Sequence, residues 1–400
     1  MWRARRRRRV SPEPMKGANV TIPQPFTIAI PQATLDDLQD RLARTRWPDA
    51  ADGADWSAGT SLDGLKALVD YWRHGYDWRA QEAALNALPQ FKVAIDGVEI
   101  HFLHLKSQAA DATPIILTHG WPDSFHRFHK ILPMLTDPER YGGAAGDAFD
   151  VVVPSIPGFG FSDRRAMSSG AVADLWAALM TDVLGYPRFA AAGGDIGSNV
   201  TKALASRHPD KVTAIHLTDV GYPVGREYDP PLSDAEQAFA GFIEGWWFME
   251  GAYAMVQMTK PQSLAFGLND SPAGWAAWVL SFIKTGAGDT DVEAAFGGRD
   301  ALLTNLMIYW VTQTAGSAAR MYLEDARASW AEAGGSQPGP SSPPAGIALF
   351  PREAQFPREW AERSVNVRRF ATLPRGGHFA PLEEPELFVA DLRAFFRELR

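Results

Sequence analysis

The sequence contains no cysteine, which excludes disulfides, thiolate metal sites and cysteine nucleophiles. It also lacks any run of about 18 consecutive apolar residues, the length a spanning helix needs. A long uncharged stretch, residues 301–319, is interrupted by Thr304, Asn305, Thr312, Gln313, Thr314 and Ser317, a pattern that predicts a buried or lid helix. A basic excess is missing too. There are 39 Lys and Arg against 47 Asp and Glu, for a net charge of −8, and six of the arginines (Arg3 and Arg5 to Arg9) crowd the first nine positions. The folded part is therefore acidic, which disfavours nucleic acid as a partner. The arginine run is followed by Val10-Ser11-Pro12-Glu13-Pro14 rather than an apolar stretch, unlike a secretory or twin-arginine signal. It reads as a disordered basic tail over residues 1–20, or as an over-extended start with Met15 as the natural initiator. No repeat of solenoid period is present.

What remains is an ordinary globular composition, 46% apolar and 22% charged over 400 residues, with enough chain for two to three domains. Residues 21–90 read as a helical N-terminal region, with helical apolar spacing at 35–42 and again at 61–74 through Leu62, Leu65, Val69 and Trp72. Phe91-Lys92-Val93-Ala94-Ile95 and Val98-Glu99-Ile100-His101-Phe102 alternate around Asp96-Gly97, a hairpin signal. Short apolar strands then recur at 114–118, 150–153, 189–192, 212–217, 347–350 and 367–373, with helical patterns between several of them. This alternation predicts an α/β fold, a mostly parallel sheet flanked by helices, over 91–218 and 345–400. It breaks at 219–330, which is rich in Trp, Phe and Met and has helical periodicity. A Pro/Gly/Ser linker follows at 331–344. A helical insertion between strands of a parallel sheet reads as a lid over their carboxyl ends, where ligands bind.

The sharpest local signal is Gly193-Gly194-Asp195-Ile196-Gly197-Ser198. It follows an apolar strand, opens a helix, and has small residues two before and two after Asp195. That is the spacing of a nucleophile elbow, with a carboxylate where serine usually sits. The turn is so tight that larger flanking side chains would collide with neighbouring strands. An Asp that merely caps the helix is the competing reading. A carboxylate can displace a leaving group at an sp³ carbon and become an alkyl ester; water must then attack the Asp195 carbonyl, which calls for a base and an oxyanion hole. His378, in Arg375-Gly376-Gly377-His378-Phe379 just after the last predicted strand, is the best placed of the nine histidines, and the chain order of Asp195, an acid and then His378 suits this fold. The pairs His101/His104 and His126/His129 have i, i+3 spacing, but neither adjoins a third ligand or forms His-Glu-x-x-His, so no metal is expected. Pro157-Gly158-Phe159-Gly160-Phe161-Ser162 does not complete a dinucleotide fingerprint and reads as a tight loop bordering the pocket.

His119-Gly120-Trp121-Pro122-Asp123-Ser124 and the Pro157–Ser162 loop each follow a strand. Together with the Asp195 elbow and Arg375-Gly376-Gly377-His378-Phe379-Ala380, they resemble the epoxide hydrolases of the α/β-hydrolase fold. The resemblance is closest to the microsomal type, including its juvenile-hormone branch. Pro23-Gln24-Pro25-Phe26 and Arg44-Thr45-Arg46-Trp47-Pro48 resemble that type's N-terminal region, so the likeness runs from about residue 20 to the C-terminus. The resemblance implies Asp195 as nucleophile, His378 as base, and Glu353 in Phe350-Pro351-Arg352-Glu353 as the acid that orients it. Glu383, Glu384 and Asp219 are rival acids. It further implies two lid tyrosines, Tyr253 and Tyr322, whose phenols stay protonated at neutral pH and can hold the oxirane oxygen. The backbone N–H groups of Trp121 and Ile196 would form the oxyanion hole.

Ile196 replaces the family's usual tryptophan, which leaves the backbone donor intact and argues against a haloalkane dehalogenase, the nearest alternative. A catalytically silent relative is another, and a serine esterase built on Ser198 is weaker. The implied activity is opening of an apolar epoxide by water to a vicinal diol, without metal or organic cofactor. Trp246, Trp247, Phe248, Trp275 and Trp278 suggest the apolar substrate. The expected partners are the small-molecule epoxide and water, with no nucleic acid and no membrane anchor; a homodimer is left open, and the expected location is cytoplasmic.

Overall fold

The computed structural model describes residues 19–50, 55–223, 228–288, 290–332 and 340–400. Residues 1–18 of the expected basic tail and 333–339 of the expected linker lie outside the described residues. Among the described residues nine strands form one sheet in the order β1-β2-β3-β5-β4-β6-β7-β8-β9. They are β1 (Gln24–Pro25), β2 (Gln90–Ile95), β3 (Val98–Leu105), β4 (Thr113–Thr118), β5 (Phe149–Pro154), β6 (Phe189–Gly193), β7 (Val212–Leu217), β8 (Ser341–Leu349) and β9 (Val365–Thr372). The edge from β1 to β3 is antiparallel, β3 joins β5 antiparallel, and β4 to β9 run parallel with β5. Both faces of the parallel part are covered, so its strands are apolar throughout rather than alternating: Ile115 to Leu117 and Val151 to Val153 are fully buried. At the predicted hairpin Ile95 pairs with Val98, and Asp96 and Gly97 both take positive φ, as a tight two-residue turn requires.

The N-terminal region carries helices α1 (Gln32–Ala43), α2 (Leu62–His74) and α3 (Trp78–Asn86). It is not wholly helical, because Gln24–Pro25 pairs with β2 as a short edge strand. Val20, expected in the tail, bridges to Ile95. The core adds α4 (Leu132–Thr136), α5 (Ser169–Ala178) and α6 (Ile196–Arg207). After the insertion it adds α14 (Arg358–Glu362), α15 (Ala380–Glu383) and α16 (Pro385–Glu398).

Between β7 and β8 lie α7 (Asp234–Met249), α8 (Ala252–Thr259), α9 (Pro261–Asp270), α10 (Pro272–Ala287), α11 (Val292–Ala295), α12 (Arg299–Thr312) and α13 (Ala315–Glu332). Ser233 and Glu236 start α7 as a capping box, each side chain accepting from the other's backbone N–H. The interrupted stretch at 301–319 spans α12 and the start of α13. Leu302 to Tyr309 are buried on every side, and the two polar residues among them find partners, Thr304 Oγ1 donating to the Asp300 carbonyl and Asn305 Nδ2 to the Pro122 carbonyl.

The linker boundary needs correction at both ends: α13 continues to Glu332, and β8 starts at Ser341. Pro343 and Pro344 fit into β8 because the ladder to β9 shifts register between Ser341 and Pro344, and pairing with β7 begins only at Ala345. Proline is tolerated at such bulges and strand starts, where no ladder N–H is needed. The N-terminal region braces the insertion. Arg41 Nη1 donates to Asp270 Oδ1 at 2.8 Å, and Thr60 Oγ1 donates to the Ala277 carbonyl at 2.5 Å.

Candidate active site

The carboxyl ends of the parallel strands converge on one place. The chain beyond β4 brings Trp121, beyond β6 Asp195, beyond β7 Asp219, beyond β8 Glu353 and beyond β9 His378. The elbow is strained: Asp195 has φ 59° and ψ −131°, a region a side-chain-bearing residue occupies only when its surroundings enforce it. Three contacts enforce it here. The Asp195 N–H donates to Asp219 Oδ2 at 2.6 Å. The Ser198 N–H donates to the Asp195 carbonyl at 2.9 Å. Gly197 packs so closely on the backbone of β4 that a Cβ there would strike the Thr118 carbonyl. The small residues of the motif thus answer to a close backbone approach.

The two carboxylate oxygens of Asp195 face different partners. Oδ1 accepts from the Trp121 N–H at 2.8 Å, while Oδ2 lies 3.5 Å from His378 Nε2. Ile196 is the first residue of α6, so its N–H has no intrahelical acceptor and belongs to the positive end of the helix dipole beside that carboxylate. His378 Nδ1 is bonded to Glu353 Oε2 at 2.9 Å. Asp195, His378 and Glu353 show side-chain exposures of only 14, 8 and 7%.

The rival acids are sorted by contact. Glu383 accepts from the Gly377 N–H at 2.5 Å and from Arg352 at 2.7 Å, so it shapes the loop before His378. Glu384 pairs with Arg375. Asp219 caps the elbow, accepting also from Ser198 Oγ at 2.9 Å.

Electrostatics follow from this crowding. Burial pushes the Asp219 carboxyl up to about 6, helped by the charges of Glu353 and Asp195 and opposed by Lys202. Burial also works against ionised Glu353, but the charge and hydrogen bond of His378 outweigh it and leave Glu353 below its ordinary value. For His378, burial disfavours the imidazolium, yet Glu353 and Asp195 outweigh burial and raise it well above 6.5. The two carboxylates thus favour the protonated imidazole.

A cavity of about 2580 Å³ lies between this cluster and the insertion. Tyr253 of α8 and Tyr322 of α13 line it with Asp195, Glu353 and His378. The Tyr253 ring stacks on Trp121 at 5.3 Å and meets Tyr322 edge-on at 6.3 Å. Enclosure holds both phenols well above their ordinary value of 10, and the nearby Asp195 charge adds to it. Both are therefore neutral donors at any physiological pH.

Of the five aromatics singled out in the sequence, Trp246, Trp247 and Trp278 line the cavity. Trp275 does not: it is buried behind the wall, donating to the Leu306 carbonyl at 3.2 Å and packing on Tyr309. Phe248 is 87% exposed on the outer face of α7. The loop at 157–162 also lies off the cavity; its Gly158 carbonyl accepts from Ser317 Oγ at 2.5 Å and seats α13. His101 bonds Ser155 and Gln90, and His126 stacks on His129. Among the described residues no group of three or more His, Asp or Glu is placed to hold a metal, and no helix is long and apolar enough to cross a membrane.

Sequence reasoning passed over Asp123 and Arg127, both 1% exposed. The available signal was an i, i+4 pair of opposite charges inside an otherwise apolar motif. It also passed over Asp325, whose carboxylate accepts from the N–H and Oγ of Ser169 at 2.6 and 2.8 Å. That bond ties α13 to α5, one turn beyond Tyr322.

Residues 23–128 match the family described as "Epoxide hydrolase N terminus", and residues 113–249 match "alpha/beta hydrolase fold". The chain is 42% identical over 385 residues to a putative epoxide hydrolase of Stigmatella aurantiaca, covering 94% of this chain and 85% of that protein. It is 33% identical to epoxide hydrolase 1 of Sus scrofa, covering 93% and 88%. The solved structure of Aspergillus niger epoxide hydrolase superposes with a TM-score of 0.79 at 30% identity, covering 95% of this chain and 97% of that one.

Proposed function

The chain belongs to the epoxide hydrolases of the α/β-hydrolase fold, and on that premise we propose that Asp195, His378, Glu353, Tyr253 and Tyr322 divide its reaction between them as follows. Tyr253 and Tyr322 donate hydrogen bonds to the oxirane oxygen. Asp195 Oδ2 attacks a ring carbon, the C–O bond breaks, and a tyrosine proton passes to the departing oxygen. The product of this step is a hydroxyalkyl ester of Asp195. Loss of the Asp195 charge removes one of the two carboxylates that raise His378, so the imidazolium gives its proton to the tyrosinate and becomes a competent base at the moment one is needed. His378, oriented by Glu353, takes a proton from water, and the hydroxide adds to the Asp195 carbonyl. Trp121 and Ile196 N–H groups hold the resulting oxyanion at Oδ1, each contributing about 3 kcal/mol if they act like other oxyanion donors. Collapse expels the diol, which takes the His378 proton; the proton released by the regenerated carboxylate returns to His378. No step calls on a metal or an organic cofactor.

The observation that carries this reading is the division of labour at Asp195. One carboxylate oxygen is held by a backbone N–H at 2.8 Å, and the other faces the imidazole and the cavity. Tyrosines on the far wall favour an oxirane over a halide, because phenols supply the proton that an opening epoxide demands. The apolar lining from Trp246, Trp247, Trp278 and Phe282 supports an apolar epoxide, with the insertion at 219–330 serving as the lid. Diol formation from a panel of terminal, aryl and trans-disubstituted epoxides tests this; turnover of small polar epoxides alone would refute the apolar preference. A cytoplasmic location, a partner set without nucleic acid, and a homodimer belong to the same proposal. Cell fractionation and sedimentation decide them.

A further inference from the structure

Three loops must keep their relative positions for the ester to be hydrolysed: the one bearing the Trp121 donor, the elbow bearing Asp195, and the one bearing His378. A single buried guanidinium is bonded to two of them and lies beside the third. Arg127 Nη1 forms an ion pair with Asp123 Oδ2, and the other oxygen of Asp123 accepts from the Gly120 N–H at 2.7 Å, next to Trp121. Arg127 Nη2 donates to the backbone carbonyl of His378 at 2.6 Å. The same nitrogen lies so near the elbow that a Cβ on Gly194 would sit 3.1 Å from it. Asp123 and Arg127 are each 1% exposed, and neither lines the cavity. A pair of charges taken wholly out of water is a poor device for stability alone. What it offers here is geometry, since a planar fork fixes two acceptors at once in a way an ammonium cannot.

We propose that Arg127, held by Asp123, is a positioning residue for the second half of the reaction, setting the His378 imidazole and the Trp121 oxyanion donor relative to the Asp195 ester. This rests on the covalent reading given above. Attack on the epoxide depends on Asp195 and the two tyrosines; Arg127 contacts none of those side chains and reaches them only through Trp121, while Asp195 keeps its own anchor on Asp219 and Tyr253 its packing on Phe282. Hydrolysis depends on both loops that Arg127 ties together. Loosening the strut should therefore slow hydrolysis while leaving alkylation intact. In a two-step covalent pathway this leaves kcat/KM unchanged and lowers kcat and KM together.

The test uses the full chain and styrene oxide, with rapid quenching and intact-protein mass spectrometry to count ester adducts. Arg127→Lys keeps the charge and loses the fork; Asp123→Asn/Arg127→Gln removes both charges, leaves no uncompensated ion, and serves should the lysine variant fail to fold. His378→Gln is the reference for a trapped ester. Expected for either strut variant is an adduct occupying most of the enzyme at steady state. kcat should fall on the order of 100-fold, the cost of a displacement of about 1 Å at a reacting centre, with kcat/KM within about twofold of the parent. Loss of kcat/KM at constant KM with no adduct would overturn the proposal and reduce the pair to a general structural role. Unchanged hydrolysis would overturn it as well. If His378→Gln also fails to accumulate adduct while the parent forms diol, the covalent reading itself falls; adduct in His378→Gln but not in the strut variants sinks only this inference.

Discussion

The parallel core and the helical insertion each build half of the site, and they do so by different physics. In the core, every group proposed to be catalytic stands at the end of a buried strand and is held by short polar contacts: Asp195 by Trp121 and Asp219, His378 by Glu353. In the insertion, Tyr253 and Tyr322 are held mainly by ring packing against Trp121, Phe282 and each other. A carboxylate and an imidazole need fixed directions to exchange protons and attack carbon. Two phenols need only to be neutral, enclosed and roughly convergent on an oxygen. Polar anchoring is thus concentrated where direction matters, and ring packing where it does not.

Substitutions on the two sides should break the reaction at different steps. Asp195→Asn should cost on the order of 10⁴-fold or more in kcat, as loss of a nucleophile does elsewhere, with no adduct by mass spectrometry; appreciable turnover not traceable to deamidation would remove Asp195 from its role. His378→Gln should form the ester and stall, so that enzyme accumulates as adduct and kcat falls on the order of 10²- to 10⁴-fold. On the insertion side the signature reverses. Tyr253→Phe or Tyr322→Phe should lower kcat/KM on the order of 10²-fold without accumulating adduct, and the double variant should lose less than the product of the two. Adduct accumulation in a tyrosine variant would contradict the assignment of the phenols to ring opening.

The comparison also predicts a titration. Removing a carboxylate next to an imidazolium lowers the imidazolium's pKa, so both Asp195→Asn and Glu353→Gln should lower the His378 pKa from its raised value in the parent, read from its ring-proton chemical shift. Because folded His378 keeps its proton to higher pH than the unfolded chain does, its contribution to stability is complete below about 6.5 and is lost as pH rises through the folded value. The smallest effect is expected where the N-terminal region meets the insertion: Arg41→Ala removes a pair with the largely exposed Asp270 and should cost less than about 1 kcal/mol by denaturant titration.

The same two regions differ in how readily the sequence discloses them. Strands β4 to β7 and the elbow were legible because burial on both faces leaves apolar runs, and a tight turn leaves a run of glycines. Tyr253 and Tyr322 were not legible from periodicity, since aromatics at helical spacing serve packing and catalysis alike; only the family resemblance pointed to them. Trp275 and Phe248 show the same ambiguity, one buried behind the wall and the other turned to solvent. The start of β8 was hidden by Pro343 and Pro344, whose place in a strand depends on a register shift that local composition cannot reveal. The Asp123–Arg127 pair was hidden because its partners, Gly120 and His378, are backbone groups, which no side-chain pattern records.

The covalent role of Asp195 is tested most directly by a single turnover in water enriched in ¹⁸O, with enzyme in excess over epoxide. The account predicts a first diol whose new oxygen is ¹⁶O, drawn from the Asp195 carboxylate, with ¹⁸O retained on the protein. A first diol carrying ¹⁸O would mean that water attacks the epoxide directly, and the account would be wrong.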